Sequence, residues 1–202
     1  MATVFIDDKY LQNIADILRD KLNSSDTISP NEMIQLVSQA DIYTDQLKKL
    51  SEGAKFDLVI PEGVTTLAQY AIYSSNITSI TFPSTITTIA ASACRDNKSL
   101  TSISIISDND ITIGSSAFCN STALQNIYIR TSGHLTLEAA FASYHTYPNI
   151  TIIANSATIA SNAFGGGDWS MRNINLSWAS GAVSGAPWSA GSTAVITYNY
   201  KE

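Results

Sequence analysis

Two hydrophobic periodicities divide the chain. Over residues 1–52 apolar side chains recur at helical steps. Asp7 or Asp8 is placed to cap a first helix, along which Leu11, Ile14, Ile17, Leu18 and Leu22 fall three or four residues apart. The polar run Asn23-Ser24-Ser25-Asp26 interrupts it. Ser29-Pro30-Asn31-Glu32 then combines an N-cap serine, a proline at the first helical position and a glutamate three residues after the cap, which predicts a second helix. In that helix Met33, Leu36, Ala40, Tyr43, Leu47 and Leu50 follow steps of 3, 4, 3, 4 and 3, a heptad seam. The seam has two readings: it packs on the first helix, or it joins copies of the chain.

After Gly53 the pattern becomes repetitive. Val64-Thr-Thr-Leu-Ala-Gln-Tyr-Ala-Ile72, Ile86-Thr-Thr-Ile-Ala-Ala-Ser-Ala-Cys94 and Ile111-Thr-Ile-Gly-Ser-Ser-Ala-Phe118 are variants of one phrase. The phrase returns as Leu135-Thr-Leu-Glu-Ala-Ala-Phe141, Thr158-Ile-Ala-Ser-Asn-Ala-Phe164 and Val183-Ser-Gly-Ala-Pro-Trp188. Its terminal residues lie 22, 24, 23, 23 and 24 apart, and a second marker, Ile80, Ile103, Ile127, Ile150, Ile174 and Ile196, is spaced by 23, 24, 23, 24 and 22. Two markers holding one period over six copies predict a solenoid, since a lone unit cannot bury its apolar face and a stack can.

The alternating segments Ile77-Thr-Ser-Ile80-Thr-Phe82, Leu100-Thr-Ser-Ile103-Ser-Ile105 and Leu124-Gln-Asn-Ile127-Tyr-Ile129 read as strands with one face in the core. The bulky residue ending each phrase should point inward, with its neighbouring alanine letting adjacent coils pass closely. The expected fold is α+β: a helical head over 1–52 for attachment or oligomerisation, then a β-rich leucine-rich-repeat solenoid over 53–202. The solenoid is expected to be right-handed and continuous, not divided into two sheets. Its six coils, stacked at ~4.8 Å, would rise about 25–30 Å. The head is placed to cover the first coil's open edge.

Composition narrows the function classes. Charged residues are 14% of the chain and the net charge is −6, with Ser, Thr and Asn filling the polar positions. Lys and Arg are scattered, so nucleic acid, which needs a basic face, is not an expected partner. No stretch approaches the ~18 apolar residues of a membrane span, and the first residues lack the basic and apolar regions of a signal peptide. A Cys94–Cys119 disulfide is not expected, because Cys94 occupies a repeated core position.

Candidate chemistry is sparse. His134 and His145 read as surface polar residues, and Asp108-Asn109-Asp110 as turn formers more than calcium ligands. Gly165-Gly166-Gly167-Asp168 lacks the lysine of a phosphate loop. No serine has histidine and carboxylate partners at a family spacing, so neither an enzyme, a metal nor a cofactor is expected. Glycosylation is not expected at the Asn-x-Ser/Thr triplets starting at Asn23, Asn76, Asn97, Asn120, Asn149 and Asn175. The outward strand positions, among them Ser79, Thr81, Ser102, Ser104, Asn126, Tyr128, Arg130, Asn173 and Asn175, are either a plain solvated sheet or a face that binds sugars or protein.

Two resemblances add to this. Ile60-Pro61-Glu62-Gly63-Val64, Phe82-Pro83-Ser84-Thr85-Ile86 and Ile113-Gly114-Ser115-Ser116-Ala117-Phe118 make residues 58–198 resemble BspA-like, or Treponema-type, leucine-rich repeats, although later units lack the proline and glycine. That resemblance implies an adhesin or binding scaffold. Tyr10-Leu-Gln-Asn-Ile-Ala-Asp-Ile-Leu-Arg-Asp-Lys-Leu22 with Asp26-Thr-Ile-Ser-Pro-Asn-Glu-Met33 resembles a segment of phage tail and baseplate proteins. Leu18 replaces that pattern's isoleucine, and Lys21-Leu22-Asn23 departs from its Lys-Thr-Gly. The second resemblance implies a virion protein made in the host cytoplasm, with other tail proteins, and a host-surface glycan or protein, as partners. A bacterial surface adhesin is the alternative. Avidity along a fibre axis would favour a homo-oligomer, a trimer above all, joined through Met33 to Leu50.

Overall fold

The computed structural model describes residues 45, 46, 49, 53–141, 148–164, 173–177 and 195–197. Of the expected head, only Asp45, Gln46 and Lys49 fall within this set, with helical backbone. Met33, Leu36, Ala40, Tyr43, Leu47 and Leu50 lie outside the described residues, as does His145.

From Phe56 onward the chain winds through two parallel sheets. The first holds β1 (Phe56–Val59), β3 (Ile77–Thr81), β5 (Ser102–Ser107), β7 (Asn126–Thr131), β9 (Asn149–Ile153), β11 (Asn173–Ser177) and β12 (Val195–Thr197), in that spatial order. The second holds β2 (Thr66–Leu67), β4 (Thr88–Ile89), β6 (Ile111–Ile113), β8 (His134–Leu137) and β10 (Ser156–Ile159), also in chain order. The chain returns to the first sheet four times between β1 and β9, giving about four full turns, and β11 and β12 extend that wall.

The expectation of a solenoid without two sheets needs correction. Each of the first five coils contributes one strand to each sheet, so the two sheets are opposite walls of one coiled path. Strands of two to four residues in the second wall carry too little alternation to be read from sequence.

The isoleucine marker defines the register of the first sheet. Leu58, Ile80, Ile103, Ile127, Ile150, Ile174 and Ile196 pair strand to strand in one continuous row. Ile80, Ile103, Ile127 and Ile150 are buried. Facing them, Leu67, Ile89, Ile113, Leu137 and Ile159 form the corresponding row of the second sheet. A one-residue slip would turn either row to solvent, so apolar burial enforces the register.

The other marker lines a turn. Ile72, Cys94, Phe118, Phe141 and Phe164 are buried in a column where the coil bends. Phe118 stacks on Phe141 with ring centroids 5.3 Å apart and planes 8° apart, and Phe141 stacks on Phe164 at 5.9 Å. The alanines before four of these residues, Ala93, Ala117, Ala140 and Ala163, are fully buried. Their carbonyls accept from the preceding coil: Ile72 N to Ala93 O, Cys94 N to Ala117 O, Phe118 N to Ala140 O and Phe141 N to Ala163 O, at 2.8–3.2 Å. Close approach explains the small residue. At Gly114 any Cβ would stand 2.7 Å from the Ala91 amide nitrogen.

That turn repeats a backbone signature. Tyr70, Ser92 and Ser116 have φ of 60°, 56° and 59°, and Ser74, Asp96 and Asn120 have φ of 51°, 62° and 60°. These left-handed residues aim alternate amides at the next coil, as in Ser74 N to Arg95 O (2.9 Å) and Asp96 N to Cys119 O (2.8 Å). The turn therefore continues the inter-coil hydrogen bonding of the sheets without being a strand.

Phe118→Ala and Phe141→Ala should each lower stability by about 3–5 kcal/mol, because neighbouring coils cannot close over the lost ring. Urea denaturation followed by circular dichroism measures this, and a loss below ~0.5 kcal/mol would contradict the buried stack.

Candidate recognition surface

Pleating of the first sheet sends alternate side chains outward, and parallel pairing arranges them in rows across the coils. One row runs Asp57, Ser79, Ser102, Asn126, Asn149 and Asn173. The next runs Val59, Thr81, Ser104, Tyr128, Thr151 and Asn175. A third contains Ile106, Arg130, Ile153 and Ser177.

The structure thus brings the predicted residues Asn126, Tyr128 and Arg130 of β7 and Asn175 of β11 onto one face, with the Asn173 backbone in register with Asn149. Asn149 and Thr151 of β9 lie between them, part of the same rows and not anticipated as site residues. Asn149 Nδ2 donates to Asn126 Oδ1 at 3.5 Å. At the row's other end the Asp57 carboxylate accepts from Thr78 Oγ1 (2.6 Å) and Ser79 Oγ (2.7 Å). These two bonds, Thr78 first, hold the Asp57 carboxyl below its usual pKa. Arg130 stands beside Ile106, which is 48% exposed, so the face is polar with one apolar margin.

The second sheet has its own outward row, Thr66, Thr88, Thr112, Thr136 and Thr158, paired in register across five strands. Sequence reasoning passed over it, although threonine one or two places after the apolar start of the first four repeated phrases was the available signal. Beside this row His134 Nδ1 lies 2.7 Å from Ser156 Oγ, and Nε2 lies 3.0 Å from Thr158 Oγ1. Asp110 Oδ1 accepts from the backbone amide of His134 at 2.7 Å. Both ring nitrogens therefore face hydroxyls, and the carboxylate that a serine–histidine relay places on the second nitrogen is engaged elsewhere.

Asp108-Asn109-Asp110 behaves as a turn bound to its neighbours. Asn109 Nδ2 donates to Ser84 O at 3.2 Å, and Asp108 O accepts from Ser132 Oγ at 3.0 Å. Among the described residues no three His, Cys, Asp or Glu side chains converge as metal donors. Of the asparagine triplets, Asn97 is wholly buried. Its Nδ2 donates to Ile72 O and Cys94 O, both at 2.7 Å, and its Oδ1 accepts from Ser75 N at 2.8 Å. Cys94 and Cys119 are separate thiols, and burial raises the pKa of both.

A different cluster sits on the turn column. Tyr70 and Tyr73 are 51% and 45% exposed and pack edge to face at 5.7 Å. The Asp96 carboxylate beside the Tyr73 hydroxyl raises the tyrosine's pKa. Asp96 also accepts from Asn120 Nδ2 at 2.9 Å and from Arg95 Nε at 3.2 Å. Burial raises its pKa, but the Asn120 bond, the neighbouring Tyr73 hydroxyl and the charge and bond of Arg95 together outweigh this and hold the carboxyl below the usual range.

The chain matches the BspA type Leucine rich repeat region in six copies across residues 55–178. It belongs to that family. No curated protein and no solved structure matches it. The number of copies equals the number of units read from the period, but the match ends at residue 178, before the sixth phrase at Val183–Trp188. The match is consistent with a binding scaffold or adhesin.

Because the Asp96 carboxyl is depressed on folding, its stabilising contribution is present above the unfolded value of ~3.9 and is lost as pH falls through the folded value. Asn120→Ala removes one of its donors and should move the Asp96 titration upward, towards that unfolded value. Carboxyl NMR titration of both forms checks the direction, and an unchanged midpoint would contradict the assigned network.

Proposed function

We propose that this chain is a virion component of a phage tail, a fibre, baseplate or receptor-binding protein that acts by recognition and not catalysis. The observation that carries the reading is the coupling of two parts. Residues 10–33 resemble a tail and baseplate segment, and residues 55–178 are BspA-type repeats with in-register polar rows on their outer walls. In this reading residues 1–52 attach the protein to other tail proteins, and the solenoid presents Asn126, Tyr128, Arg130, Asn173 and Asn175 towards a host-surface glycan or protein.

A bacterial surface adhesin is the second reading, favoured by the family match across residues 55–178. Antibody raised against residues 53–202 should decorate tails of intact phage particles in electron micrographs. Decoration of uninfected bacterial cells, with bare phage tails, would establish the adhesin instead.

The seam from Met33 to Leu50 supports association into a trimer, which would multiply weak contacts along one axis. Light scattering of the full chain at tens of micromolar should give a trimer mass, and Leu36→Asp with Leu47→Asp should reduce it to the monomer while the β-type circular dichroism persists. A monomeric native chain would assign the seam to packing within one copy.

A further inference from the structure

The tyrosine cluster departs from the repeat that surrounds it. Tyr70 occupies the column continued by Ser92 and Ser116, and all three are left-handed. Serine accommodates that backbone with a small side chain, whereas a bulky residue at positive φ is an outlier. The first coil therefore carries a strained, exposed ring where the next two coils carry a hydroxymethyl group. Above Tyr73 in the same repeat position stands Arg95, and above Ser74 stand Asp96 and then Asn120. The result is an aromatic ledge on the first coil with a polar wall rising over the second and third.

The wall is organised in advance. Asp96 Oδ1 accepts from Asn120 and Oδ2 from Arg95, which fixes the carboxylate beside the tyrosine ledge. Each carboxylate oxygen retains acceptor capacity, and Arg95, whose side chain is 40% exposed, retains outward donors. We propose that Tyr70, Tyr73, Arg95, Asp96 and Asn120 form a binding site for a neutral saccharide. One sugar ring lies with its C–H face on Tyr70 while adjacent hydroxyls bond Asp96 and Arg95.

Three features select this ligand class. Donors and acceptors alternate over a short distance, matching the paired hydroxyls of a sugar. The Arg95–Asp96 pair balances its own charge, and the chain's net charge of −6 disfavours an anionic ligand. The patch also spans only three coils, roughly 10 Å at the usual strand spacing. That suits one or two sugar rings and falls far short of the ~800 Å² per partner of a stable protein interface.

The proposal rests on the reading of the chain as a recognition protein, though on either a virion or a cell surface. The full chain is applied to an array of neutral oligosaccharides ending in glucose, galactose, mannose or N-acetylhexosamine, with sialylated versions alongside. Retention on a subset of the neutral glycans is expected. Tyr70→Ser installs the residue that the next two coils carry at this backbone conformation, and Asp96→Asn installs the residue found one coil on at Asn120. Tyr70→Ser should leave folding intact and Asp96→Asn should cost only the carboxylate's share of the turn network, both checked by circular dichroism, and each should weaken retention about tenfold. Thr112→Val, on the second sheet, should leave retention unchanged.

Retention confined to sialylated glycans, absence of retention on every glycan, or full retention by both variants would overturn the site. Loss of retention with Tyr128→Ser but not Tyr70→Ser would move sugar binding to the sheet and equally overturn it. Phage-tail decoration that persists after any of these results would leave the tail assignment standing without this site.

Discussion

Everything in this solenoid follows from the need of each coil to be covered by the next. A coil of 22–24 residues exposes an isoleucine from one wall, a leucine or isoleucine from the other and a bulky residue at the turn. None of these can be buried within a single coil, because both faces of that coil are open along the stacking direction. Stacking identical positions closes them simultaneously, with Ile on Ile and Phe on Phe. The stacked pair Phe118–Phe141, nearly parallel at 5.3 Å, is the most direct expression of that constraint.

Backbone chemistry obeys the same rule. Parallel strands satisfy their amides on the neighbouring coil, and the left-handed residues of the turn extend this to a segment that is not a strand. Asn97 shows what happens where the turn alone does not suffice, since its buried amide serves three backbone groups, two of them on the adjacent coil. Stability is consequently a property of interfaces between coils, and the outer walls are left to vary.

That division shapes function. Inner positions are bound to one apolar size and register, while outer rows can hold serine, asparagine, tyrosine or arginine at little energetic cost. Repetition then multiplies whichever choice is made, as in the Asn126–Asn149–Asn173 row and the five threonines of the second sheet. Tyr70 is the reverse case, a single departure from a repeated column, and it acquires meaning only because its neighbours are serine.

By itself the sequence determined the solenoid, its period and the inward identity of both apolar markers, because burial every 22–24 residues leaves a pattern of large effect. It also identified alternating strands, so Asn126, Tyr128 and Arg130 could be placed outward before any coordinates. Only the tertiary structure decided that each of the first five coils has a second wall, since Thr66–Leu67 and Thr88–Ile89 are too short to show a period of two. It likewise showed that Asn97, which starts one of the Asn-x-Ser/Thr triplets, is buried. And it joined Tyr70, Tyr73, Arg95, Asp96 and Asn120, residues from three coils whose proximity depends on left-handed turn geometry that composition and spacing do not encode.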